Sequence, residues 1–336
     1  MNNNRLASVS NLPGLFSLSL RLVIGWTYFS AFWRRLVLEN KLIPDTNGYI
    51  GEKFNHFLPN AFGIKPVIEY LVTHPGDLHL AMVAFTVVEA IVGLFIMLGL
   101  FTRLMSIGVF GLAFGILMGS GWLGSTCLDE WQIGILGLAG GFSLFLAGSG
   151  GYSVDNYLTG TGLSFTRKKW FPWIASGLLP VNNLKPLVLF FSFFIFGVAL
   201  LTNQVFHGGV WGKLHNLSVK PKVEISNVRV EDSNLNFEVY RTEGIDVYGS
   251  FLVGIEVLNE KGEVVKSLDA NDLSRFSPGN IKNLYVAKVK PGKHSLVIPL
   301  GAKADISINL KGVAVNRDYS LRLIDVSGME WTARIG

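Results

Sequence analysis

The sequence predicts a membrane-embedded all-α bundle followed by a soluble all-β domain, and three observations lead to this prediction. Residues 15–205 are rich in Phe, Leu, Gly and Trp, with several long apolar runs. Residues 215–336 alternate charged and apolar positions and contain no such run. The longest run, residues 78–101, would cross a hydrocarbon core of roughly 30 Å as a helix. We therefore expect a four-helix transmembrane bundle, a fifth transmembrane helix and an immunoglobulin-like β-sandwich.

Composition and charge exclude several classes of function. The formal net charge of +5 is modest and its basic residues are dispersed, except for one cluster at residues 167–169, so we predict no nucleic-acid binding. Cys127 is the only cysteine, which excludes an intrachain disulfide and any cysteine-based metal site that subunits do not share. The sequence shows no haem, flavin or iron–sulfur signature, and we predict no bound metal.

Five apolar segments are predicted to span the membrane, and the first is expected to be an uncleaved helix. Glycines at every third or fourth position in the third and fourth spans are typical of helices that pack closely in membranes. The glycines are Gly111, Gly115 and Gly119 in the third span and Gly134, Gly137 and Gly141 in the fourth, and the five spans are residues 15–38, 78–101, 104–122, 130–147 and 186–205.

Charged residues within the spans are candidates for function. Glu89 would lie near the bilayer midplane, where a charge costs a few kcal/mol, so we expect it to face protein or trapped water. Arg21 is interpreted as an interfacial anchor whose side chain reaches the headgroups. Arg34 and Arg35 point in different directions around a helix, so only one of them can do the same. The other is free for a functional role.

A long connection, residues 39–77, joins the first two spans. Connections of this length usually form a functional lid or carry structure of their own. Its segment PVIEYLV predicts a short amphipathic helix on the membrane surface. The spacing of its histidines matches no metal-binding pattern.

The segment from residue 222 onward shows a period of two, which is typical of half-buried strands. Eight or nine short strands are separated by turn signals such as Pro291-Gly292 and Ser327-Gly328. About 120 residues with this spacing predict an immunoglobulin-like sandwich. The predicted domains are the bundle at residues 1–160, a cytoplasmic linker with the fifth helix at 161–214, and an extracytoplasmic β-sandwich at 215–336.

The predicted topology places the candidate residues together at the outer face of the bundle. Basic loop residues belong on the cytoplasmic side, so the β-domain and the first and third loops are expected outside, in the inner membrane of a bacterium. Glu89 should lie below this outer mouth, where arginines suit an oxyanion or a quinone carbonyl and a buried carboxylate can carry protons. An indole could flank a flat ring. The residues expected there are Arg34, Arg35, Cys127, Glu130 and Trp131, with Trp122 as an alternative aromatic neighbour.

Several motifs give the chain a resemblance to a known family. They are Glu89-x-x-x-Gly93, Leu98-Gly99-x-x-Thr102-Arg103 and Gly148-x-Gly-x-x-Ser153-x-Asp155. They resemble the DoxX/DoxD family of four-helix membrane proteins, and the fifth span with its trailing β-domain resembles a DoxD subunit fused to DoxA. The resemblance implies oxidation of thiosulfate to tetrathionate, with a membrane quinone as electron acceptor. The small-molecule partner is expected to be thiosulfate or a similar small oxyanion. It also implies that Arg103 belongs to the quinone-binding residues.

Two other interpretations remain open on the sequence. In the first, the chain is a non-enzymatic scaffold whose β-domain binds a partner, and Glu89 is a packing residue. In the second, less favoured because no broken helices or paired repeats are evident, it is a transporter or assembly factor. A companion subunit or a homo-oligomer is compatible with each interpretation.

Overall fold

The chain forms two compact units in a computed structural model that describes residues 12–124, 129–245, 251–313 and 318–336. One unit is helical and comprises residues 12–50, 79–121 and 129–215. The other contains the β-strands and comprises residues 51–78 and 122–124 and the described residues from 216 onward. A helical N-terminal region followed by an all-β domain confirms the predicted order of the two classes of structure.

Among the described residues, four helices are long and apolar enough to cross a membrane, which indicates a membrane-integral N-terminal region. Each coincides with a predicted span. The bounds of the longer helices in chain order are Leu18–Phe32 (α1), Gly51–Phe57 (α2), Lys65–Thr73 (α3), Pro75–Leu98 (α4), Thr102–Ser120 (α5) and Asp129–Ala147 (α6). They are followed by Val154–Gly160 (α7), Phe171–Ile174 (α8) and Lys185–Phe206 (α9), of which α4, α5, α6 and α9 are the four long apolar helices.

The first predicted span differs from these four because its last turn is not α-helical. The α-helix α1 is 15 residues long and continues into a π-helical turn, Trp33–Val37. A π turn places one extra residue in the ring closed by each hydrogen bond and so rotates the side chains that follow. The sequence pattern gave no sign of it.

Glycines bring the helices of the bundle together, although only some of the predicted ones do so. A Cβ atom on Gly93 of α4 would lie 2.5 Å from the backbone nitrogen of Phe29 in α1. Gly134, Gly137 and Gly141 of α6 lie close to α5, as predicted, since Cβ atoms on them would lie 2.8, 2.6 and 3.1 Å from its nearest atoms. The expectation for Gly111 and Gly115 is wrong, because a Cβ atom on either would meet nothing within 4 Å.

The β-domain contains ten strands in its described residues, arranged in two antiparallel sheets with the orders β1-β2-β8-β5 and β10-β9-β3-β7-β6, and β4 paired with β3. Alternate residues of the strands, such as Leu235 and Phe237 on β2 and Ile306 on the neighbouring β8, contribute to the core. The strands are Lys222–Glu231 (β1), Asn234–Glu243 (β2), Leu252–Leu258 (β3), Val264–Leu268 (β4), Ile281–Asn283 (β5), Lys290–Pro291 (β6), Leu296–Val297 (β7), Lys303–Asn309 (β8), Ser320–Asp325 (β9) and Glu330–Arg334 (β10), with a short helix Ala270–Ser274 (α10) after β4.

The connection between the first two spans folds with the β-domain. Its helix α3 does have the predicted amphipathic character, but its buried residues Ile68 and Val72 pack beside Leu58, Tyr285 and Val286. The expectation that its apolar face lies on a membrane surface is therefore wrong. That face is covered by protein, which supplies the same apolar surroundings that a lipid surface would.

Candidate functional site

A buried ion pair joins the first two helices of the bundle. Nη1 of Arg35 lies 2.6 Å from Oε2 of Glu89 and 3.1 Å from the hydroxyl oxygen of Thr86. Glu89 is 4% exposed and the Arg35 side chain 13% exposed. Thr86 in turn donates to the Met82 carbonyl at 2.7 Å, which fixes its hydroxyl as an acceptor for Arg35. One guanidinium nitrogen thus satisfies two oxygens on neighbouring turns of α4.

Arg35, which pairs with Glu89, lies in the π turn. Arg34 and Arg35 both belong to Trp33–Val37, but Arg34 is exposed and its Nε donates to the Ser30 carbonyl at 3.2 Å. The prediction that the two adjacent arginines point in different directions is thus confirmed. The expectation that both gather over Glu89 is not met, because only Arg35 faces α4.

The close crossing of α1 and α4 sets the height of the pair. Gly93 packs against the backbone of Phe29 and the carbonyl of Gly25, and Glu89 lies one turn nearer the start of α4. The pair therefore lies level with the last turn of the first helical segment rather than with its middle. That segment continues directly into the connection at residue 38.

The surroundings of the pair are aromatic and apolar. The Arg35 guanidinium lies over the Phe85 ring, 5.6 Å from its centroid. Phe85 packs against a buried cluster in the bundle that includes Tyr28 and Val92. Such surroundings exclude water and strengthen the attraction between the two charges, while leaving each of them costly to bury alone.

Arg35 keeps donors that the protein does not use. Its Nη1 carries both of the side-chain hydrogen bonds described above, and within the described residues Nε and Nη2 have no partner. A guanidinium presents five N–H donors in a planar fork. Three donors are therefore available to a ligand oxygen beside Glu89.

The other residues predicted at the outer mouth lie elsewhere or outside the described residues. Trp131, next to Glu130 in the first turn of α6, donates its indole N–H to the Thr202 hydroxyl on α9 at 2.9 Å. Trp122 is fully buried in the other compact unit, and its Nε1 has no partner in the described part of the chain. Cys127 falls in the segment 125–128, which lies outside the described residues.

Arg103 holds backbone rather than facing Glu89. Arg103 is 1% exposed. Its guanidinium donates to three carbonyl oxygens, those of Phe145 at 2.9 Å, Gly177 at 2.6 Å and Pro172. Each of its three nitrogens thus donates to a backbone carbonyl, and these contacts fasten α5 to the end of α6, to α8 and to the segment after α8. The structure therefore gives no support to the expectation that Arg103 contacts a quinone.

Asp155 forms the centre of a second structural cluster, at the same end of α5 as Arg103. Its Oδ1 accepts the Phe101 backbone N–H at 2.7 Å, and its Oδ2 accepts the N–H and hydroxyl of Thr102 at 3.1 and 2.9 Å and the Ser176 hydroxyl at 2.7 Å. Asp155 thus caps the N-terminus of α5 from a distant part of the chain. A Cβ atom on Gly99 would lie 2.6 Å from Cβ of Ser153.

Arg21 belongs to this second cluster and was misinterpreted as an interfacial anchor. It is 2% exposed and donates to the carbonyls of Ser149 at 2.6 Å and Tyr152 at 2.7 Å. The residues that carried the resemblance, from Gly99 to Asp155, therefore fasten helix ends to loops. Glu89 and Gly93 are the exceptions, since they lie at the ion pair and at the helix crossing beside it.

No group of three or more His, Cys, Asp or Glu side chains in the described residues is placed to hold a metal ion. The chemistry that the described site offers is that of a carboxylate, a guanidinium and a hydroxyl. These groups bind anions or carbonyl oxygens and transfer protons.

Comparison with protein families assigns both parts of the chain. Residues 16–182 match the family model described as TQO small subunit DoxD, and residues 206–334 match the one described as TQO small subunit DoxA. The chain is a tandem DoxD–DoxA protein. TQO denotes thiosulfate:quinone oxidoreductase, and the order of the two matches is that of a fusion of its two small subunits. No solved structure matches the chain.

The DoxD match covers the ion pair and the Asp155 cluster, and the DoxA match covers the β-domain. Sequence reasoning selected Glu89 and Arg35 but missed Thr86, whose hydroxyl has no signature of its own. Its position three residues before Glu89, on the same face of α4, is the only sequence signal that could have found it.

Proposed function

We propose that this DoxD–DoxA protein is a membrane oxidoreductase that transfers electrons from thiosulfate to a membrane quinone. Two thiosulfate anions join through a new sulfur–sulfur bond to form tetrathionate and release two electrons. The quinone takes up these two electrons and two protons to form the quinol. The tandem match to two small-subunit families of thiosulfate:quinone oxidoreductase supports this general activity.

The observation that carries the proposal is the buried Arg35–Glu89 pair. Its unused guanidinium donors can bind a quinone carbonyl or an oxyanion oxygen in a fixed fork, as guanidinium groups do in sites of low dielectric. A buried pair of charges is not needed for stability, since apolar residues of the same volume often stabilise a protein equally well. A functional role accounts for its presence better than a structural one.

Glu89 is proposed to supply protons to the reduced quinone. When a ligand oxygen that carries negative charge binds Arg35, it competes with Glu89 for the guanidinium. Glu89 is then a buried carboxylate without full compensation, and proton uptake relieves the cost of its charge. A protonated Glu89 beside the bound ring can donate to the quinone oxygen, while Arg35 stabilises the charge that develops there.

The proposed setting is the cytoplasmic membrane of a bacterium, with quinone diffusing in the bilayer and the β-domain on the outer side. Four long apolar helices and α1 with its π turn would make five spans, and an inside N-terminus then places the C-terminal domain outside. The two antiparallel sheets are compatible with an immunoglobulin-like sandwich. The quinone is the only electron acceptor in this proposal.

A second candidate function is that of a membrane-anchored scaffold. The observation in its favour is a polar groove of about 490 Å³ on the outer face of the β1-β2-β8-β5 sheet. Charged side chains of both signs line it, including Arg229, Glu231, Glu238, Lys282 and Asp305. A groove of this character suits a polar partner and has no need of the ion pair in the bundle.

Turnover of the purified full-length protein distinguishes the two functions. The protein in detergent is mixed with thiosulfate and a soluble quinone, and quinol and tetrathionate are both quantified. We expect equal molar amounts of the two products, and a decrease in rate of at least roughly 100-fold in Glu89→Gln, the scale of a lost acid–base group. A folded wild-type protein that forms neither product would contradict the oxidoreductase proposal and favour the scaffold.

A Cys127→Ser variant, run in the same assay, tests whether the lone thiol takes part. The proposal assigns proton transfer to Glu89 and charge stabilisation to Arg35, so we expect the serine variant to retain turnover. Loss of turnover in Cys127→Ser with full activity in Glu89→Gln would contradict the assignment of catalysis to the ion pair and would assign it to the thiol.

A further inference from the structure

The connection between α1 and α4 folds as part of the β-domain, although it belongs to the DoxD match. We call residues 51–73 the strap; they contain α2 and α3 and lie within residues 16–182. Every contact described below joins the strap to residues within the DoxA match, 206–334. The strap is therefore the place where the DoxD sequence meets the DoxA fold.

Asn55 forms the centre of this contact. Its side chain is fully buried, and Nδ2 donates to the Gly301 carbonyl at 3.0 Å while Oδ1 accepts the Ala287 backbone N–H at 2.9 Å. The amide thus pairs with one donor and one acceptor of the β-domain backbone. Loss of either pairing would leave a buried polar group unsatisfied, which is the costly outcome for a hydrogen bond in an apolar setting. The contact is therefore specific as well as close.

Gly301 allows the strap to approach the β-domain. Its φ of +72° lies in the left-handed region, and a Cβ atom there would lie 1.7 Å from the carbonyl oxygen of Asn55. No other residue type fits without moving the strap. The β-domain thus carries a backbone position shaped for this segment of the DoxD region.

Apolar side chains surround the asparagine. Leu58, Ile68 and Val72 of the strap are each less than 5% exposed and pack with Tyr285 and Val286 of the β-domain. A polar group enclosed by well-packed apolar contacts is the arrangement found at the centre of stable protein interfaces.

Two further hydrogen bonds lie toward the edge of the contact. Asn60 Nδ2 donates to the Thr242 carbonyl at 3.0 Å, and the Tyr285 hydroxyl donates to Glu69 Oε1 at 2.9 Å. Burial raises the pKa of the Tyr285 hydroxyl, and the hydrogen bond to Glu69 raises it further, so the phenol remains a donor well above neutral pH.

We propose that the strap is the docking element by which a DoxD region binds a DoxA domain, and that this attachment does not depend on the covalent link between α9 and β1. The partner that the strap fits is a DoxA-type β-domain with a glycine at the position of Gly301. The same surface would join the two regions if they were separate polypeptides. This inference is independent of the reaction proposed above.

Cleavage of the full-length protein tests the proposal. A specific protease site is inserted after Trp211, in the exposed segment 211–214, and the protein carries an affinity tag at its N-terminus. After cleavage in detergent, the tagged part is captured and the β-domain fragment in the bound and released fractions is quantified. We expect the wild-type fragment to remain bound at both about 0.15 M and 1 M salt, because the contact is mainly apolar and uncharged.

Variants on each side of the contact locate the attachment. We expect Asn55→Ala, which removes both side-chain hydrogen bonds, and Gly301→Ala, whose added methyl group clashes with the strap, each to weaken retention roughly tenfold or more, the scale of changes at interface centres. Asn271→Ala is the matched control, since Asn271 is exposed and its side chain makes no bond in the described residues. Its fragment should be retained as in the wild type.

Release of the wild-type fragment on cleavage would overturn the proposal, whatever the variants do. Retention that is equal in Asn55→Ala, Gly301→Ala and Asn271→Ala would also overturn it, since the β-domain would then be held by another surface. A melting curve of each uncleaved variant shows that the protein is folded before cleavage, so that release reports on docking alone.

Discussion

Arg35 holds Glu89 through a single guanidinium nitrogen, Nη1, at 2.6 Å from Oε2. This monodentate contact differs from the forked pairing in which an arginine uses two nitrogens on one carboxylate. It leaves the rest of the guanidinium for another oxygen, as the proposed function requires. A pair built only for stability would gain from the second hydrogen bond.

Adjacent arginines provide a matched test of the pair. Arg35→Gln removes the charge that compensates Glu89, whereas Arg34→Gln changes an exposed residue whose hydrogen bond in the described residues is to the Ser30 carbonyl of the same helical segment. We expect turnover with thiosulfate and quinone to fall by at least roughly 100-fold in Arg35→Gln. In Arg34→Gln it should stay within about twofold, the scale of a surface substitution. Equal losses in steady-state assays of the two variants would show that the π turn does not select a functional arginine.

Gly93 is predicted to be essential for the crossing of α1 and α4. In Gly93→Ala the added methyl group meets the backbone of Phe29 at 2.5 Å, so the helices must separate, at a cost of about 1–3 kcal/mol. Gly111→Ala is the control, because its methyl group meets no atom within 4 Å. We expect a lower melting temperature and lower turnover in Gly93→Ala, and neither effect in Gly111→Ala. A drop in melting temperature of the same size in both variants would contradict the described crossing.

Asp155→Asn tests the second cluster. The amide keeps one acceptor oxygen where the carboxylate offers two, and its NH₂ group faces donors that it cannot accept from. We expect the free energy of unfolding to fall by about 3 kcal/mol, from the loss of hydrogen bonds to a charged group. The KM for quinone should not change in the protein that remains folded, since Asp155 does not contact the ion pair. A raised KM with an unchanged melting temperature would place the substrate here.

Acid is expected to destabilise the protein through His207, which follows α9 directly. Burial lowers the pKa of His207 below its ordinary value of 6.5, and His215 lowers it further, whereas the hydrogen bond to the Gly121 carbonyl opposes the shift. The unfolded chain therefore binds this proton more tightly than the folded one. The contribution of His207 to the free energy of unfolding is therefore constant well above pH 6.5, and it decreases as the pH falls below that value.

Melting temperatures of His207→Gln between about pH 8 and pH 5 check this prediction. We expect the variant to lose less stability than the wild type over this range. His294→Gln, which changes an exposed histidine of the β-domain, should behave as the wild type. A wild-type slope that persists in His207→Gln would assign the acid sensitivity to other groups.

The sequence was sufficient to predict the two classes of structure, because hydrophobic periodicity reports directly on which faces are buried. It did not reveal what covers an apolar face. The apolar stripe of α3 that contains Ile68 and Val72 is as compatible with a lipid surface as with protein. We predicted a lipid surface, whereas protein covers the stripe. The prediction for Gly111 and Gly115 was wrong for the same reason, since a row of small residues does not show whether another helix packs against it.

The candidate site was predicted in part. Charge alone singled out Glu89 and Arg35, since ionised groups in an apolar helix need partners. The choice between Arg34 and Arg35 depended on the π turn at Trp33–Val37, for which the sequence pattern gave no sign. Arg21 was predicted as an interfacial anchor and is instead buried against backbone carbonyls, because the sequence does not show what a guanidinium in an apolar helix binds. The prediction that Arg103 binds a quinone stays a prediction, and the structure shows its guanidinium on backbone carbonyls.

Asp155 has a consequence for how relatives of this protein should be compared. Because its four hydrogen bonds hold loops to a helix end, evolution can retain this aspartate, together with Gly99 and Thr102, in chains that catalyse nothing. Retention of that signature would indicate the architecture alone. Under the function proposed above, the presence or absence of a partnered arginine and glutamate would be the sign of activity. Surveys of such proteins should therefore be sorted by the pair and not by the signature.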